Sequence, residues 1–146
     1  MGAIAGAVLT NVMFELPAVQ VAETARSSTG LWVGEVVATA GLIAVIFALA
    51  RGGCPALSAV TVASYIAAAY SFTSSTSFAN PAVTIGRAFT DTFAGIAPAS
   101  LAGFVVAQLA GLIAGVAMLA ALYPAAGDAA GDVVVEHDHL QGATRD

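Results

Sequence analysis

Charge is scarce in this chain of 146 residues: 4 basic and 9 acidic side chains, 9% of the total, give a formal net charge of −5. Soluble domains carry nearer 25% charged residues, so the composition argues against one. No basic patch exists, which excludes the phosphate neutralisation on which nucleic-acid binding depends. A single cysteine, Cys54, rules out an intrachain disulfide and reads as a small apolar residue near a helix start. No basic residue precedes the apolar run that opens with Met1-Gly2-Ala3-Ile4-Ala5, so this end is a poor secretory signal and a better first membrane helix. The apolar segments hold no nucleophile–base pair and no pair of carboxylates, so no enzyme and no cofactor are expected. His137 and His139 flank Asp138 in a polar tail, and two tail histidines do not make a metal site.

What the chain has in abundance is apolar sequence. Hydrophobic residues make up 59% and the mean hydropathy is +0.91. A multi-pass cell-membrane protein in contact with the lipid bilayer is therefore expected, all-α, because every backbone polar group in lipid must be satisfied within its own segment. A span needs roughly 20 residues, and the chain offers about four. The first covers residues 2–21 and is marginal, with Asn11, Glu15 and Pro17 in its second half. Residues 22–30, with Glu23 and Arg26, read as a solvated loop. The second span covers 31–50 and carries Glu35. Arg51-Gly52-Gly53-Cys54-Pro55 is a turn, the third span covers 55–72, and the last covers 99–122 or 123. In that last span Gly103, Ala107, Gly111 and Gly115 recur at four-residue spacing, a face of small residues on which another helix can come close. Residues 1–123 thus form a membrane domain, and residues 124–146 a disordered acidic tail. The basic residues are too evenly spread for the positive-inside rule to orient the chain.

The stretch 73–93 organises the rest. Asn80 can cap a helix that Pro81 begins, since proline's missing N–H has no partner to lose at the first helical position. A helix from Asn80 to Asp91 or Thr92 is only about 18 Å long, against a hydrocarbon core of roughly 30 Å. It cannot cross, and it reads as a re-entrant half-helix with the Asn80 amide at its head. If the Asn80 carbonyl oxygen caps the helix, its NH₂ is free to donate into a lumen; in water the same residue would be a plain N-cap. Glu35, an acid inside a span, needs donors, and it suits a structural anchor for the half-helix better than a proton relay, which lacks a second group. Arg87 lies two turns after Asn80 and could line a pore mouth; its i,i+4 spacing to Asp91 favours an ion pair instead.

Ser77-Phe78-Ala79-Asn80-Pro81-Ala82-Val83-Thr84-Ile85-Gly86 resembles the signature loop of the aquaporin and glycerol-channel family, the major intrinsic proteins. Trp32-Val33-Gly34-Glu35-Val36-Val37-Ala38-Thr39 resembles that family's fourth helix, and the glycine-rich final span its sixth. The resemblance covers roughly residues 2–123 and implies the C-terminal half of the fold: one inverted repeat, preceded by part of the third helix, with one of the two half-helices. It implies cytoplasmic termini, a cytoplasmic Arg51, an Asn80 loop entering from outside, and Asn80, Pro81 and Ala82 as pore signature. Two positions depart from the pattern. Val83 stands where the family's filter has arginine, and Ala68 where strict water channels have histidine, so the resemblance implies a wider, less positive filter and passive passage of water or small neutral solutes such as glycerol. Two half-helices close such a pore, so the chain is expected to be incomplete alone. A second chain supplying the N-terminal half, or a second copy, would complete it, giving an oligomer; otherwise the chain is a non-conducting fragment or an accessory membrane-interaction subunit.

Overall fold

The computed structural model describes residues 1–123, and the acidic tail with His137 and His139 lies outside the described residues. The described residues are helical and contain no strand. Five α-helices follow in order: α1 Gly2–Met13, α2 Thr29–Arg51, α3 Ser58–Phe72, α4 Pro81–Arg87 and α5 Leu101–Leu122. Short 3₁₀ turns, Pro55–Leu57 and Pro98–Ser100, lead into α3 and α5.

Helices α2 and α5 form the frame. Small residues let their backbones touch: a Cβ built on Gly111 would stand 2.7 Å from the Val36 carbonyl oxygen, and one on Gly115 would stand 3.0 Å from that of Ala40. At one end the Arg51 guanidinium lies 4.8 Å from the Tyr123 ring centroid, a cation–π contact that closes the pair. Away from this seam the same helices present Val33, Val37, Leu109 and Ile113 outward, all exposed. Two helical segments, Thr29–Arg51 and Pro98–Leu122, are long and apolar enough to cross a membrane. α3 leans on α2 where Gly41 makes room for the Tyr65 ring, and the Tyr65 hydroxyl donates to the Ala38 carbonyl at 2.9 Å.

Two helices are shorter than the sequence pattern predicts. α1 stops at Met13 instead of continuing towards Val21. There the Leu16 N–H turns back onto the Asn11 carbonyl at 2.8 Å, Glu15 adopts a left-handed backbone with φ 58°, and the Asn11 amide donates to the Ala18 carbonyl. α4 stops at Arg87 instead of reaching Asp91. Its would-be continuation loses its ladder because the Ala88 and Phe89 N–H groups tighten onto the Ile85 and Gly86 carbonyls three residues back, and the Arg87 carbonyl that would accept from Asp91 accepts from Ile96 instead. The returning chain then adds Ala22 and Gln20 N–H groups on the Ala88 and Phe89 carbonyls. Asn11 seals this junction: its Nδ2 also donates to the Phe89 carbonyl at 3.0 Å, and its Oδ1 accepts from the Thr90 hydroxyl at 2.6 Å. With the helix ended, Arg87 and Asp91 lose the i,i+4 geometry, and Asp91 accepts from the Glu23 backbone N–H instead.

Candidate functional site: a short helix and its clamped approach loop

The start of α4 is made locally. Asn80 has an extended backbone, φ −156° and ψ 121°, its Oδ1 accepts from the Ala82 N–H at 2.8 Å, and Pro81 fills the first helical position. Asn80 is exposed, and with Oδ1 used as the cap its Nδ2 hydrogens have no acceptor among the described residues. Pro81 and Ala82 are exposed beside it, and Val83 is half-buried against a small core of Phe78, Ile96 and Phe104.

The loop before α4 has a conformation that its residues disfavour. Thr76, Ser77 and Ala79 have φ of 64°, 51° and 49°, a left-handed backbone that costs an L-residue about 1 kcal/mol or more. Acceptors and donors reaching in from other segments hold it there. Fully buried in α2, Glu35 accepts at Oε1 from the Phe78 N–H and at Oε2 from the Ala79 N–H, both at 2.9 Å. Its third donor is the Gln108 amide of α5 at 2.7 Å, which also donates to the Thr84 hydroxyl at 2.8 Å. Thr84 in turn donates to the Asn80 carbonyl at 3.0 Å. One hydrogen-bonded chain thus joins α2, α5 and α4 to the residue that heads α4. Gly34 lets the loop lie against α2, since a Cβ there would meet Ser74 Oγ and the Ser75 N at 3.0 and 3.1 Å.

The loop's other side rests on Arg26. Its Nε donates to the Gly95 carbonyl at 2.7 Å, one terminal nitrogen to the Ser75 carbonyl and Thr76 hydroxyl at 3.2 and 3.5 Å, and the other to the Phe93 carbonyl at 2.7 Å. The guanidinium also stacks 5.4 Å from the Phe78 ring centroid. Burial lowers its pKa from the ordinary arginine value, and an arginine stays charged in proteins even so. The reading of 22–30 as a solvated loop is therefore corrected at this residue. Arg26 is buried, at 6% exposure, because backbone and hydroxyl oxygens replace its water.

The remaining candidates are spread around this centre. Arg87 and Val83 line a cleft of about 250 Å³ between α1 and α4, with Ala3, Gly6 and Thr10 opposite. Ala68 is exposed on α3, apart from the hydrogen-bonded chain. Gly111 and Gly115 lie in the α2–α5 seam, whereas a Cβ on Gly103 would meet the Trp32 indole, 2.7 Å from Nε1.

No family profile matches the chain, and no solved structure matches it. One curated protein decides the matter: the chain is 47% identical over 118 residues to aquaglyceroporin AqpS of Rhizobium meliloti (strain 1021), an alignment covering 81% of this chain and 50% of that protein. Over this stretch the chain belongs to the aquaporin and glycerol-channel family. It spans about half the length of the curated relative it matches.

Within this aquaporin-family chain, sequence reasoning passed over Arg26, Asn11, Thr84 and Gln108. The last had a visible signal, since a lone amide in an apolar helix must find partners or stay unsatisfied at a cost of several kcal/mol, on the order of 2–7. Asn11 had the same signal, strengthened by Pro17 six residues on.

Proposed function

We propose that this chain forms one wall of a passive membrane channel for water and small neutral solutes such as glycerol, and that a second wall completes it. The observation that supports this best is Asn80: exposed, fixed as a cap by its own carbonyl oxygen, and left with its amide hydrogens free at the head of a helix too short to span. A donor held in that way can replace one hydration partner of a passing hydroxyl or water without binding it tightly. Glu35 is the anchor of this arrangement, because a carboxylate that accepts from two loop amides fixes where the loop ends and where Asn80 begins.

In this reading residues 1–123 are the membrane domain, with α2, α3 and α5 as spans, α1 as the end of the preceding span and α4 as the re-entrant half-helix, equivalent to the C-terminal half of the family fold. The termini and Arg51 face the cytoplasm, and the 73–80 loop enters from outside. Val83 and Ala68 contribute no polar bulk, which favours a wide, permissive filter, with Arg87 nearer the mouth. Gly103, Gly111 and Gly115 serve helix packing. A separately encoded N-terminal half or a second copy supplies the other wall, within an oligomer in the cell membrane. The half-length alignment favours one competing reading, in which the chain by itself conducts nothing and serves as a fragment or accessory subunit.

Vesicles reconstituted with the assembled protein test this. Under a hyperosmotic glycerol step they are expected to shrink and then reswell, and Asn80→Ala is expected to reduce reswelling to the rate of empty vesicles while leaving the protein in the membrane, since losing a cap costs only about 1 kcal/mol. Water passage with glycerol excluded would refute the permissive filter, and wild-type vesicles indistinguishable from empty ones would favour the non-conducting reading.

A further inference from the structure

The two sides of α4 meet different surroundings. Thr84 turns inward, its hydroxyl accepting from the Gln108 amide of α5, while Asn80, Val83 and Arg87 recur at spacings of three and four residues along the other side. Val83 and Arg87 open onto the cleft of about 250 Å³ between α4 and α1, with Ala3, Gly6 and Thr10 as its far wall. Among the described residues nothing covers it: Gly6 and Thr10 are exposed, a Cβ on Gly6 would meet no atom within 4 Å, and the Thr10 hydroxyl is turned back onto the Gly6 carbonyl of its own helix. Arg87 is half-buried in this cleft, and its guanidinium has no acceptor among the described residues. The acids nearby in sequence or in the core are engaged elsewhere. Glu35 is filled by the Phe78 and Ala79 amides and Gln108, and Asp91 accepts from the Glu23 N–H. Arg26 stands near enough for the two guanidinium groups to repel each other. A cation set among small and apolar residues is costly until an acid answers it, so the cleft calls for a group from beyond the described residues.

We propose that this cleft is the docking seat for the second wall, and that its occupant is an apolar membrane helix of a separate chain whose carboxylate pairs with Arg87. This rests on the reading above that a second wall completes the channel. Such a wall stands across from the Asn80 amide, and Arg87 lies two turns further along the same side of α4, so what faces Asn80 also meets Arg87. Charge decides the occupant's chemistry: a guanidinium fork takes a carboxylate through two parallel hydrogen bonds, and an acid on an apolar helix needs such a partner in lipid. Shape agrees, since Ala3 and Gly6 present almost no side chain and let a helix come close. The acidic tail is not the occupant, because it departs from α5 at Tyr123 beside Arg51, 22 residues or about 33 Å along that helix from Ser100, against which the Arg26 backbone is bonded. Nor is it a second copy, whose described helices carry Glu35 as their one acid, already filled by three donors. The part of aquaglyceroporin AqpS outside the alignment is the concrete stand-in for such a chain.

In the test that stand-in is the probe, co-expressed with this chain carrying an affinity tag. Two quantities are read: the probe retained by the tagged chain in detergent, and glycerol entry into vesicles made from the pair. Wild type is expected to retain the probe, and Arg87→Glu to retain about 10-fold less or lower, as when one partner of a covered charge pair is removed. Arg87→Lys keeps the charge without the fork and is expected to fall between. Changing the carboxylates in the probe's apolar segments to lysine one at a time is expected to expose a single position that matters, and Arg87→Glu on this chain is expected to restore it. The probe-side changes leave this chain untouched, so they answer even where Arg87→Glu fails to assemble. Equal retention by Arg87→Glu and wild type overturns the proposal. So does a probe in which no single carboxylate matters, and so does a wild type that retains no probe. A pair joined through Arg87 that passes no glycerol removes the channel reading and leaves the docking seat. A pair that passes glycerol and holds Arg87→Glu as firmly as wild type removes the docking seat alone.

Discussion

Glu35→Ala is expected to deprive the membrane of folded protein. The substitution leaves the Phe78 and Ala79 amides and the Gln108 carboxamide without their shared acceptor in a fully buried site. Each stranded donor costs about 1–3 kcal/mol, so the sum is on the order of 3–9 kcal/mol, comparable with the whole stability of many domains. The loop would also be released from a backbone that Thr76, Ser77 and Ala79 do not favour by themselves. Glu35→Gln should fall between: its oxygen can keep the Ala79 and Gln108 bonds at the Oε2 position, but its NH₂ then faces the Phe78 N–H, donor against donor. The measurement is the monodisperse fraction in detergent after a temperature series. The expected order of midpoints is wild type, then Gln, then Ala, and equal midpoints for the three would show that the carboxylate holds nothing together.

Gly111→Ala should also be damaging, although it adds a single methyl group. The new Cβ would stand 2.7 Å from the Val36 carbonyl oxygen and 2.8 Å from the Thr39 Cβ, positions belonging to helix backbone and to a carbon fixed directly on it. Neither can move unless α2 and α5 separate, and overpacking of this kind costs about 1–3 kcal/mol. Gly103→Ala is the matched control. Its nearest neighbour is the Trp32 indole, part of a side chain 37% exposed and free to swing outward. The same detergent melts should therefore show Gly111→Ala lowered by several degrees and Gly103→Ala close to wild type. The reverse order would mean that the α2–α5 seam is looser than its distances imply.

The contrast between those glycines shows where the sequence was legible and where it was not. Four-residue spacing of Gly103, Ala107, Gly111 and Gly115 announces a face for close approach, but it cannot say that the first glycine meets an indole and the other two a backbone. The start of α4 could be read because capping is local: Asn80 and Pro81 carry their own instructions. Its end could not, because the Arg87 carbonyl that would carry the helix on is taken by Ile96 and the next two by Ala22 and Gln20, the last pair far away in sequence. Glu35 advertised a need for donors simply by being an acid in an apolar helix. Arg26 gave no such notice, since a lone arginine among Thr24, Ser27 and Ser28 looks like any surface loop. Its acceptors are mostly main-chain oxygens, which every residue type possesses and no motif records.

The shared hold of α1 on α4 has a mechanical consequence. Near the last turn of α4 Gly86 lies so close to Ala3 that a Cβ would come within 2.7 Å of the Ala3 carbonyl, and just past that turn Asn11 is bonded to Phe89 and Thr90. The seven-residue α4 is thus tied to α1 at its C-terminal end. A displacement of α4 therefore carries α1 with it, while the loop held by Glu35 fixes its opposite end.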